Sequence, residues 1–260
     1  MKQHLKLLVA SLLVVALFAT PAWAASYWNV VPPASGDFWE SDNWTVSGTA
    51  DYHLIQNNGT ANIGTSGTIY RLYIGHSGTT GGSVGGTVNV NSGTLTATGQ
   101  VNVGRYTDGD LGTLVVASGA GVAAANLYIG YGQDTNAGYG IATVEGSLTF
   151  SASAGIGYSG NDAGVSTGVL NVQNGGSVTG SAEIRLGYRP QAEGTLNVTG
   201  DDSLFSTTGE LRVGMRGTGT VTVGSGGEVA CGTLKIGNEW ASAVGIVNLN
   251  SLGTLKTGKV

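Results

Sequence analysis

Carboxylates gather at one recurring place in this chain. Asp108 and Asp110, Asp134, Asp162, Glu193 and Glu239 each follow an apolar-x-apolar-Gly tetrapeptide by a few residues. A row of acids beside an arginine such as Arg105 suits a polysaccharide lyase. Ca²⁺ held by the carboxylates would neutralise an acidic sugar, and the arginine would take a proton from it. The same residue types have a plainer use, because Asp, Asn and Gly form tight turns and keep an edge soluble. A lyase needs its base and metal at one point, and these acids are spread about one to a loop. The turn-forming role is therefore the expectation, with no catalytic residue, no cofactor and no bound metal.

Other reactive side chains are few. His4 lies in the N-terminal leader, and His53 and His76 are too far apart in sequence to suggest a metal cluster. Cys231 is the single cysteine, so no intramolecular disulfide forms. It stands two residues after Val229 on an inward position, where a buried structural thiol is expected. No P-loop, nucleophile elbow, dinucleotide fingerprint or Ca²⁺-binding nonapeptide occurs.

One aromatic series stands out. The residue after each tetrapeptide is, in order, His76, Arg105, Tyr131, Tyr158, Tyr188, Met215 and Asn238. Tyr131, Tyr158 and Tyr188 fall in consecutive repeats, with Tyr73 and Tyr128 on outward positions nearby. These five tyrosines are the candidate ligand-binding residues. A strip of rings beside acidic loops suits a neutral glycan better than an anionic one. A ladder of like residues also stabilises a stack of strands without any ligand.

Strands must position these residues, and the repeat defines them. The tetrapeptides end at Gly75, Gly104, Gly130, Gly157, Gly187, Gly214 and Gly237. A second pattern, Gly-x-apolar-x-apolar, begins at Gly86, Gly112, Gly140, Gly168, Gly194, Gly219 and Gly245. A looser third strand follows each, as in "GTLTA" at Gly93. Alternation with period two marks all three as strands, and no helical period appears after the leader. Strands this short are stable only when each pairs with its copy in the next repeat. The expected fold is all-β, a parallel β-helix (β-solenoid) of about seven turns of roughly 27 residues, three short strands per turn. In the second strand the inward pairs are Val88/Val90, Leu114/Val116, Ala142/Val144, Leu170/Val172, Leu196/Val198, Val221/Val223 and Val247/Leu249.

The opening residues read as a secretory signal peptide. Lys2 and Lys6 precede an apolar run from Leu7 to Phe18, and Ala22-Trp23-Ala24 is a small-residue cleavage site. Cleavage after Ala24 takes the net charge from −5 to −7, since Lys2 and Lys6 are lost. Such an acidic chain is a poor nucleic-acid binder, and no later segment has the length of a membrane-spanning helix. Residues 25–59 carry Trp28, Trp39 and Trp44 and read as an N-terminal Trp-rich cap over the exposed first turn. Residues 60–260 are the solenoid. Its last stretch, "GTLKTGKV", matches a third strand, which reads as a longer protein cut short or as an uncapped turn in end-to-end contact with another chain.

The opening "SGDFWESDNW" followed by "LYIG…GTLNV" repeats resembles exported bacterial proteins with autotransporter-associated β-strand repeats. The resemblance implies a right-handed helix at the cell surface or outside the cell. The leading expectation is a secreted or cell-surface, non-catalytic structural or adhesive module. Its partners would be extracellular glycans or other cell-surface components. The alternatives are a carbohydrate-binding surface protein and a polysaccharide lyase or hydrolase of the pectate-lyase-like β-helix type.

Overall fold

The computed structural model describes residues 25–27, 35–40, 52–56, 58–76, 85–106, 110–132, 136–237 and 240–260. The leader, Trp28, Trp44, Asp108, Asp134, Asn238 and Glu239 lie outside the described residues. Among the described residues every strand pairing is parallel and there is no helix. The described strands form two sheets, one of twelve strands and one of nine. They stack as a β-solenoid of about eight turns spaced about 26 residues apart.

The nine-stranded sheet follows the glycine pattern residue by residue. Gly86, Gly112, Gly140, Gly168, Gly194, Gly219 and Gly245 are register partners in successive strands. Gly59 is paired with Gly86, which adds a turn to the seven read from the sequence. Pairing reaches further back: Ser35–Asp37 lies on Thr60–Asn62, and Ala25–Tyr27 on Tyr52–Leu54. Phe38 is 1% exposed and belongs to the core, with Trp39 packed against it. The Trp39 indole N–H donates to the Thr65 carbonyl at 3.0 Å and its ring occupies the space a side chain on Gly67 would need.

The twelve-stranded sheet holds the other two segments of each turn. In most turns the third segment and the next first segment are one bent strand, such as Thr94–Arg105, Gly121–Gly132 and Ser147–Ser159. The bend is visible in burial. Val122 and Ala124 point inward, Ala125 and Asn126 both point out, and Leu127 and Ile129 point inward again. The register slips at that step. The alternation of side chains thus survives a corner without ending the strand.

The core is the column of inward residues between the sheets. Leu114, Val116, Ala142, Val144, Leu170, Val172, Leu196 and Val198 are all essentially buried. Leu249 is 54% exposed, because Val244–Leu249 pairs on one side only. Sizes are matched along a column: Phe150 sits between Ala124 and Gly180, and its ring fills the position a side chain on Gly180 would take.

Two glycines per turn have one physical cause. Gly157 has φ of +60°, and a side chain there would strike the Glu193 carbonyl and the Gly194 nitrogen at 2.7 Å. Gly194 in turn faces the Ile156 carbonyl and the Gly187 nitrogen. The end of the first strand and the start of the second meet backbone to backbone across turns, and no Cβ fits between them.

Candidate functional site

This glycine corner fixes the candidate site. Among the described residues, the residue after each corner glycine projects from the same edge, turn upon turn. His76 is the register partner of Arg105, Arg105 of Tyr131, and Tyr131 of Tyr158. Tyr131 and Tyr158 stack with centroids 5.5 Å apart and planes 14° from parallel. Tyr158 and Tyr188 stack more closely, at 4.6 Å and 11°. Tyr128 lies tilted against Tyr158 at 4.9 Å, and its hydroxyl shares a hydrogen bond with Ser153. The Tyr158 ring has room to lie back because Gly155 occupies the position beneath it.

The row continues toward the N-terminus. Tyr73 stacks on His76 at 5.4 Å and touches Tyr52 at the same centroid distance. Tyr73 faces outward but is only 3% exposed, and Gln100 donates to its hydroxyl at 2.7 Å. It supports the surface from beneath. Tyr106, two residues after a corner glycine, joins the row between His76 and Tyr131 at 5.5 and 5.6 Å. Arg105 is occupied by this cluster: its guanidinium carbon lies 4.7, 4.6 and 5.3 Å from the ring centres of Tyr73, Tyr106 and Tyr131. Burial, reinforced by the Tyr106 hydroxyl, pushes the Tyr131 phenol up to about 12, so that ring is un-ionised at neutral pH.

Toward the C-terminus charge replaces aromaticity. Arg185, Arg212 and Lys235 are register partners on the outward face, beside Glu183 and Glu210. Glu183 bonds Arg185 at 2.5 Å and Arg212 at 2.6 Å, and Glu210 bonds Arg212 at 3.2 Å and also Lys235. Burial works against ionising Glu183, but the hydrogen bond from Arg185 and the charges of Arg185, Arg212 and Lys235 outweigh it and hold its carboxyl below the usual range. Each acid bridges neighbouring turns, so this is a ladder of ion pairs. Arg185 and Arg189 also flank Tyr188, at 4.9 and 4.7 Å from its centre, which joins the two ladders.

Of the acids expected along the edge, Asp110, Asp162 and Glu193 are among the described residues. Asp162 is held by Arg216 through two bonds of 3.0 and 2.9 Å and by Arg189 at 3.0 Å. The hydrogen bonds from Arg216 hold its carboxyl below the ordinary range. Glu193 is exposed at the start of its strand. Among the described residues, no set of three His, Cys, Asp or Glu side chains is placed to hold a metal ion. Cys231 is 7% exposed between Thr207 and Thr257, and burial raises its thiol.

The arrangement therefore packs Tyr131, Tyr158 and Tyr188 face to face, sets Tyr128 edge-on or tilted against Tyr131 and Tyr158, and leaves Tyr73 linked to them through Arg105. A pyranose ring packs its C–H face on an open aromatic face, and both faces of Tyr158 are taken by Tyr131 and Tyr188. The charged ladder went unread in the sequence, although the middle letters of "IRLG", "LRVG" and "LKIG" carry it. Trp240 was missed as well, because no repeat position marks it. Comparison with known protein families, curated proteins and solved structures finds no match to the chain.

Proposed function

We propose that this protein is a non-catalytic structural and adhesive β-solenoid module, exported to the cell surface or the extracellular space. The observation that carries this reading is the unbroken use of one edge for contact between turns. From Tyr52 through Tyr188 to Lys235, outward rings and charges are engaged by the turns beside them. Side chains committed in this way hold a rod in register. Two of the groups a lyase would use are occupied: Arg105 is set among three rings and Asp162 is gripped by two arginines. The signal-peptide reading of residues 1–24 supports export.

The test is direct. Purified protein is incubated with polygalacturonate, alginate and neutral glucans, with and without Ca²⁺, and products are followed by absorbance and mass spectrometry. No product is expected. Unsaturated or hydrolysed sugars released by the wild type and abolished by Arg105→Ala or Asp134→Ala would overturn the non-catalytic reading. Mass spectrometry of the exported protein should show an N-terminus at Ala25.

A further inference from the structure

We propose that the edge built from Asp162, Arg189, Arg216 and Trp240 is a binding site for a neutral glycan chain, with Trp240 as its stacking platform. The proposal rests on the adhesive part of the function above and gives it a surface. Trp240 is 56% exposed. One face of its indole lies on the Arg216 guanidinium, whose carbon is 4.1 Å from the ring centre. Arg216 is itself fixed, because its two terminal nitrogens grip the two Asp162 oxygens at 3.0 and 2.9 Å. The indole is thus backed by a planar cation that a bidentate pair holds in place. Tyr158, by contrast, has a ring on each side.

The polar neighbours choose the ligand. Side-chain exposure is 55% for Asp162 but 25% for Arg189 and 12% for Arg216. The carboxylate is the open member of the trio, and both guanidinium groups already point at it. Sugar hydroxyls donate to such a carboxylate and accept from the guanidinium N–H groups at its margin. A uronate or sulfate would approach the exposed carboxylate first. An apolar partner would leave the ion pair desolvated, which is costly. The four residues come from loops of successive turns, after Gly157, Gly187, Gly214 and Gly237. Their side chains converge: Arg216 touches both the Asp162 carboxylate and the Trp240 indole, so the stacking face and the open carboxylate lie either side of one guanidinium, a spacing that suits adjoining pyranose units of a chain.

Isothermal titration of the full chain with cellohexaose, laminarihexaose and mannohexaose, with polygalacturonate oligomers as the acidic comparison, tests this. At least one neutral hexaose should bind. Trp240→Ala should weaken it about tenfold or more. Asp162→Ala, which frees Arg216, should weaken it too. Trp240 is exposed, so its variant should keep the wild-type urea midpoint. Failure of all three hexaoses to bind, equal binding by Trp240→Ala, or preference for the acidic oligomer would each overturn the site. Binding without turnover leaves the non-catalytic reading intact, whereas turnover overturns that reading alone.

Discussion

Tyr158 and Tyr188 stack at 4.6 Å with planes 11° apart, although 30 residues separate them in the chain. Tyr131 covers the opposite face of Tyr158. The central ring thus joins three turns through side chains alone, in addition to the backbone ladders beneath.

Replacing it should therefore cost more than its partly exposed position suggests. Tyr158→Ala is expected to destabilise the chain by about 2–3 kcal/mol, from lost burial and two broken stacks. Tyr158→Phe keeps the rings and should cost less than about 1 kcal/mol. Urea melts of the two variants check this. Equal losses would show that the hydroxyl, rather than the stack, matters.

Glycine at the corner gives a second expectation. Gly157 has φ of +60° and meets backbone of the next turn where a Cβ would stand. Gly157→Ala should lower stability by about 3 kcal/mol or more, since the obstructing atoms are main chain and cannot swing aside. Gly64 has open space around it and no positive φ. Gly64→Ala should be neutral or stabilising by a few tenths of a kcal/mol. Similar urea midpoints for the two variants would mean the corner is looser than described.

The inward register makes a third. Leu196 is fully buried between Leu170 and Val221, while Thr195 beside it faces outward. Leu196→Asp should destabilise by several kcal/mol, because it buries a charge without a partner. Thr195→Asp should change stability by about 1 kcal/mol at most. Denaturant melts showing comparable losses would mean the faces are reversed.

Much of this fold was legible because glycine and alternation are local signals. The glycines that begin the second strands pair with one another as their spacing required. Leu170, Leu196 and Val221 form the expected column. The bend at Ala125 and Asn126 was not legible, since two outward residues in a row look like the end of a strand. The site was legible only in part. Tyr131, Tyr158 and Tyr188 share a motif position, so their meeting could be inferred, but whether stacked rings lie flat on the surface or face to face depends on side-chain rotation. Gly155 decides that for Tyr158, and nothing in its own repeat announces it. Asp162 meets Arg216 across 54 residues and two turns, through loops whose lengths hide the register.

Acid should act on the N-terminal turns through His53. Its ring stacks on Phe38 at 5.6 Å, and burial lowers its pKa from 6.5 to about 4. The folded chain keeps this histidine neutral where the unfolded chain would protonate it. Between those two values unfolding takes up a proton, so stability is full above about pH 6.5 and falls as the pH drops toward 4. The loss should reach roughly 2–3 kcal/mol. His53→Phe keeps a flat ring against Phe38 and removes the titration. Urea midpoints of wild type and variant should therefore run apart as the pH falls from 7 to 4.5, with the wild type losing more. Parallel curves across that range would show that His53 is open to water in the folded chain.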